Sequence, residues 1–130
     1  MYQSSGILKY STEPTMKVVL EVDREIVRLY KWFAPKWVGL RSQMFDPHIS
    51  IVRKEIPTNI DKFGLHEGRE VQFTYDPVIY YCPKYWWIEV SSPELEDIRL
   101  ELGLRRFRSH FSPDIRGFFG FHITIGNTKY

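Results

Sequence analysis

Lys17-Val18-Val19-Leu20-Glu21-Val22, then a helical pattern, then His48-Ile49-Ser50-Ile51-Val52-Arg53 is the stretch whose reading decides the fold. Lys17 to Val22 reads as a strand. Asp23 can cap a helix in which Ile26, Tyr30 and Phe33 recur at spacings of four and three, and Pro35 stops it. The run from His48 is β-branched and starts in strict alternation, as a strand does. The same order returns later in the chain. Tyr85 to Val90 reads as a strand, Ser92-Pro93-Glu94 as a helix entry, and Leu95, Ile98 and Leu102 as an apolar stripe ended by Gly103. His122-Ile123-Thr124-Ile125 then closes the unit. Set side by side, Leu20-Glu21-Val22 matches Ile88-Glu89-Val90, and the two His-x-Ser/Thr strands match each other. Two such units are expected to pack about a pseudo-twofold axis, with His48 and His122 facing one another.

Around these units the chain is read as one domain, residues 1–130, with residues 1–16 a polar, turn-rich lead-in holding at most a short strand. Arg69 to Tyr75 and Val78 to Tyr81 are further strands, and Asp76-Pro77 between them signals a hairpin or a bent strand. A composition of 43% hydrophobic, 16% aromatic and 26% charged residues excludes disorder and collagen-like repetition. No apolar run approaches the ~20 residues of a membrane helix, and the first residues do not read as a secretory signal. With Cys82 as the only cysteine, no internal disulfide is possible, and a cytoplasmic location is expected. A net charge of +2 is too weak to name a nucleic-acid binder, so charge placement has to carry any such claim.

In a strand, residues two apart share a face, so His48 goes with Ser50 and His122 with Thr124, while the intervening isoleucines turn the other way. The isoleucines are expected to be buried and the polar pairs to line a groove. Phosphodiester cleavage gives this set a chemical reason. One neutral imidazole can take a proton from the attacking oxygen, and one protonated imidazole can give a proton to the leaving oxygen. The hydroxyls of Ser50 and Thr124 can donate to the non-bridging phosphoryl oxygens where charge builds. A single His-x-Ser tripeptide carries little information, whereas two in matching contexts carry much more.

The pair His48-Ile49-Ser50-Ile51 and His122-Ile123-Thr124-Ile125 resembles the two motifs of the 2H phosphoesterase superfamily, the LigT-like or cyclic-phosphodiesterase-like proteins. The likeness extends from Lys17 onward, with specific identity confined to the motifs. The resemblance implies an α+β fold of two pseudo-symmetric lobes, with a concave, mainly antiparallel central sheet and helices packed outside. It also implies metal-independent cleavage of phosphodiesters, with His48, Ser50, His122 and Thr124 as the catalytic set. Members of that superfamily act on 2′,3′-cyclic phosphates, 2′-5′ oligoadenylates, ADP-ribose cyclic phosphate or cyclic oligonucleotide signals, the last including phage anti-CBASS enzymes. The expected partner is therefore a nucleotide or a short or cyclic oligonucleotide, with no cofactor and no metal. A non-catalytic nucleotide- or RNA-binding module and a zinc hydrolase are the rival readings.

Further residues are candidates for holding the substrate. Tyr10, Trp37, Tyr81, Trp86, Trp87, Phe118 and Phe119 are the aromatics available to stack on a base. Trp86 and Trp87 must point to opposite faces, so at most one reaches the groove. Tyr10, Trp86, Arg116 and Phe118 are chosen as substrate-binding residues. Arg105, Arg106 and Arg108 could meet flanking phosphates, and Arg53 ranks below Arg116 because it lies five positions beyond His48. His66 and His110 are expected to be surface loop residues, and Cys82 lacks the neighbours of a catalytic thiol. Closely spaced zinc ligands and glycine-rich phosphate loops are absent from the sequence.

Overall fold

The computed structural model describes residues 1–43, 45–106 and 120–128. In chain order the elements are β1 (Tyr2–Ser11), β2 (Lys17–Val22), α1 (Arg24–Phe33), β3 (His48–Val52), β4 (Glu70–Tyr81), β5 (Tyr85–Ser91), α2 (Pro93–Glu101) and β6 (His122–Asn127). Both helices start where their sequences say they should. The Asp23 carboxylate accepts from the Glu25 amide, and the Ser92 hydroxyl accepts from the Leu95 amide with Pro93 at the first helical position. Gly103, at φ +81°, follows the end of α2 in a conformation that favours glycine.

The strands close into an antiparallel barrel in the order β1-β2-β3-β6-β5-β4, with β4 returning to β1. The order is a palindrome about the β3/β6 seam, so β2 corresponds to β5 and β1 to β4. The interior is filled by one face of each strand, including Leu8, Leu20, Ile49, Phe73, Ile88 and Ile123. Each helix follows its strand over one end of the barrel. Ile26 and Tyr30 of α1 join the core at the end where β2 finishes, and Leu95, Ile98 and Leu102 join it where β5 finishes.

This architecture overturns the expected open, concave α+β sheet with helices packed outside. The cause is β1, ten residues long, in the segment read as a lead-in. Tyr2 to Ile7 pair with β4, and Gly6 to Ser11 pair with β2, so one strand bridges the two outer edges of the sheet and leaves neither exposed. The two pairings overlap at Gly6 and Ile7. A Cβ on Gly6 would collide with the Glu21 carbonyl oxygen, so only glycine allows the approach. Residues 70–81 form one continuous strand whose register against β5 shifts between Tyr75 and Ile79; Asp76-Pro77 thus marks a bend, and the hairpin turn comes at Cys82-Pro83-Lys84. No helix among the described residues is long and apolar enough to cross a membrane.

Candidate functional site

The β3/β6 seam fixes the site. Ile49 stands opposite Ile123, and both point into the barrel with no exposure. In an antiparallel ladder that register sets His48 opposite Thr124 and Ser50 opposite His122, all four on the outer face. The polar groove expected inside a concave sheet is therefore a patch on the outside of a closed one. All four residues are half-buried. The two histidines stand on a diagonal of the ladder, a relation that separates backbones by about 7–8 Å.

Neighbouring strands extend the same two rows. Glu21 of β2 pairs with His48, and Glu89 of β5 pairs with His122. Each imidazole thus has a glutamate beside it at corresponding positions, a symmetry already visible in the paired Leu-Glu-Val and Ile-Glu-Val strings but assigned no role from sequence. Trp87 pairs with Thr124, and its ring meets that of His122 edge-on, with centroids 6.5 Å apart.

The imidazoles are oriented alike. Nδ1 of His48 donates to the carbonyl oxygen of Asp46 at 2.7 Å, and Nδ1 of His122 donates to that of Gly120 at 3.1 Å. Each bond runs to the carbonyl two residues upstream. A carbonyl can only accept, so these contacts place a proton on Nδ1 and leave Nε2 as the atom that gains or loses one. Two rings held in the same tautomer on one face can act in either direction.

β3 is itself held in place by a buried cation. Arg99 of α2 has no exposed surface; its Nη1 donates to the Ile51 carbonyl at 2.7 Å, and its guanidinium grips both carboxylate oxygens of Glu55 at 2.7 and 2.9 Å. Its Nε donates to the Arg105 carbonyl at 2.8 Å. The residue next to Ser50 is thereby anchored to the helix of the other half. Neither α2's stripe nor the spacing of charges signalled this clamp, because its partners come from three separate segments.

The remaining candidates fall in different places. Tyr10 lies on β1 on the same side as Leu8, edge-on to Phe63 with centroids 5.1 Å apart, and burial raises its phenol pKa. It is not on the histidine face. Trp86 stacks on Tyr81 with centroids 4.7 Å apart, so the tryptophan beside the histidines is Trp87. Arg106 is bound to Glu96 at 2.8 Å, Arg105 is exposed, and Arg53 is exposed beyond the end of β3. His66 is no bare surface residue, since its Nε2 lies 3.1 Å from Glu101. Cys82 sits in the β4–β5 turn, its sulfur accepting from the Tyr85 amide. Arg108, His110, Arg116, Phe118 and Phe119 lie outside the described residues. Among the described residues no three His, Cys, Asp or Glu side chains cluster as metal ligands would. No family model, curated protein or solved structure matches this chain.

Proposed function

We propose that the protein is a phosphodiesterase that cleaves a nucleotide phosphodiester by acid-base catalysis between His48 and His122, without a metal. The observation that carries this reading is the matched pair of imidazoles on one outer face, each with Nδ1 tied to the carbonyl two residues upstream. One Nε2 takes the proton of the attacking water or hydroxyl. The other, protonated at the start, delivers a proton to the leaving oxygen as its bond to phosphorus breaks. The Ser50 and Thr124 hydroxyls donate to the non-bridging oxygens from opposite corners of the same rectangle. Substrates of this class are a 2′,3′-cyclic phosphate, a 2′-5′ linkage or a cyclic oligonucleotide. A chain whose only cysteine is Cys82 suits the cytoplasm, where such substrates occur.

Product analysis tests the proposal. The protein is incubated in excess EDTA with 2′,3′-cyclic nucleotides, 2′-5′ oligoadenylate and cyclic di- and trinucleotides, beside the His48→Ala/His122→Ala double variant. Cleavage by the wild type and not by the variant is expected, with a bell-shaped pH profile from one neutral and one protonated imidazole. Equal products from both proteins, or activity that disappears with EDTA alone, would overturn it.

A further inference from the structure

The side of α1 that turns away from the barrel is apolar where a solvated helix would be polar. Ile26 and Tyr30 face the core, and helical periodicity turns Arg28 and Trp32 away from them, with Leu29 and Phe33 on one flank and Lys31 on the other. Leu29, Trp32 and Phe33 are 50, 71 and 62% exposed, and Trp37, in the 3₁₀ turn Lys36–Val38 that follows, is 88% exposed. A single exposed apolar side chain is ordinary, whereas four between positions 29 and 37 form a patch of the kind that marks an interaction surface. The two flanks of that patch differ in chemistry. On one, Arg28, Lys31 and Lys36 line a groove of about 380 Å³. Arg28 is paired with Glu25, Lys31 donates to the Ser42 hydroxyl at 2.6 Å, and the Lys36 Nζ stands 5.4 Å from the centroid of the Trp32 ring. On the other, Leu29 and Phe33 border the cavity of about 570 Å³, which no charged side chain lines among the described residues.

Charge selects what can cover this face. From Arg24 to Val38 the chain carries Arg24, Arg28, Lys31 and Lys36 against one acid, Glu25. α2 carries Glu94, Glu96, Asp97 and Glu101, and its one cation, Arg99, is buried. Of the two helices, α1 is therefore the one that offers cations to an anionic surface. A second copy packing by the same face would set cations against cations. A nucleic-acid strand would use the lysines and the tryptophans but leave the uncharged flank without a partner. The boundary layer of an anionic bilayer matches both flanks, with phosphates for the lysines, acyl chains for Leu29 and Phe33, and the level between them where tryptophan is favoured.

We propose that the α1 face docks the protein on an anionic lipid surface, lying on the bilayer without crossing it. Trp32 and Trp37 enter the boundary between headgroups and acyl chains, Leu29 and Phe33 meet the chains, and Lys31 and Lys36 hold lipid phosphates. The inference uses no residue of the His48–His122 seam, so it stands or falls apart from the phosphodiesterase reading.

Vesicle sedimentation tests it. The intact chain is mixed with sucrose-loaded vesicles of phosphatidylcholine and phosphatidylserine in a ratio of about 3 to 1, or of phosphatidylcholine alone, and the bound fraction is measured. Binding to the mixed vesicles is expected, falling as salt rises, with binding to phosphatidylcholine alone weaker by about tenfold or more. Lys36→Glu reverses one exposed charge and should weaken binding to the mixed vesicles about tenfold. Trp32→Ala/Trp37→Ala should weaken it by a similar factor and remove the blue shift of tryptophan emission that the vesicles cause, with far-UV circular dichroism unchanged at these exposed positions. No sedimentation with either vesicle, equal binding to both, or binding indifferent to both variants overturns the inference. Affinity for a tetra-adenylate RNA that Lys36→Glu abolishes, without vesicle binding, overturns it in favour of a nucleic-acid surface. A dimer in light scattering that Trp32→Ala/Trp37→Ala dissociates, again without vesicle binding, overturns it in favour of a second copy of the chain.

Discussion

Counted from their first residues, α1 and α2 place Ile26 and Leu95 third, Leu29 and Ile98 sixth, Tyr30 and Arg99 seventh, and Phe33 and Leu102 at or just past the last turn. Corresponding positions meet different fates. Ile98, Arg99 and Leu102 are buried, whereas Leu29 and Phe33 are exposed on the rim of a cavity of about 570 Å³ that Tyr2, Tyr30 and Tyr75 also line. The difference comes from the segments that follow β3 and precede β4. Thr58 and Asn59 both donate from their amides to the Leu102 carbonyl, Asn59 Nδ2 donates to Glu101, and Glu55 grips Arg99. These contacts pull residues 53–68 over α2 and plug that end of the barrel. At the other end the segment after α1 is tied to it through exposed side-chain pairs, Lys31 with Ser42 and Arg24 with Asp46, and the Tyr30 ring, edge-on to Phe33 and Tyr75, helps close the core. One scaffold repeated twice thus yields a clamped end and an open one, with the histidine seam shared between them.

The seam is where the halves should behave most alike. His48→Ala and His122→Ala should each reduce turnover by roughly 10²- to 10⁴-fold, as loss of a general acid or base does. Steady-state rates on whichever panel member is cleaved check this, and near wild-type turnover in either variant would break the equivalence of the two motifs.

The ends should behave least alike. Arg99→Met removes the bonds that Arg99 donates to the Glu55 carboxylate and to the Ile51 and Arg105 carbonyls, and should cost about 3–5 kcal/mol in urea unfolding. A loss below about 1 kcal/mol would mean that water replaces the clamp. Ile98→Ala at the plugged end should cost about 2–5 kcal/mol, whereas Leu29→Ala at the open end should stay within about 1 kcal/mol. Equal losses would erase the contrast between the two helices.

The smallest effect is expected from pH. Burial raises the Tyr30 phenol above its ordinary pKa, with Tyr75 and Tyr2 adding to the shift. A phenol that ionises more readily unfolded than folded makes the unfolded state bind fewer protons above pH 10, so stability should fall as pH rises through that range and be untouched below it. Thermal melts of the wild type and Tyr30→Phe should diverge only on the alkaline side, with the variant losing less. Parallel curves from pH 8 to 11 would show that the open end lets water reach the hydroxyl.

The histidine set was legible because its signal is local twice over. Alternation places His48 with Ser50 and His122 with Thr124, and the repeated strand-helix-strand frame brings the two together, as the Ile49–Ile123 pairing shows. Helix starts were legible for the same reason, since Asp23 and Ser92 act on amides two and three residues away. β1 was not. Tyr2-Gln3-Ser4-Ser5-Gly6 has no apolar alternation, and its place in the sheet comes from partners such as Thr74 and Phe73, some seventy residues downstream. The choice between Trp86 and Trp87 was equally hidden, because the register of β5 against β6 shifts between them.

The sequence by itself determined the two units, the face shared by each histidine and its hydroxyl, and the caps that start both helices, all set by backbone periodicity within a few residues. Only the tertiary structure decided that the sheet closes, that the histidine face lies outside it, and that one end is clamped through Arg99 while the other stays open. Those outcomes depend on strand pairings and buried hydrogen bonds between residues tens of positions apart, where the local pattern is silent and the packing of the whole chain selects the partner.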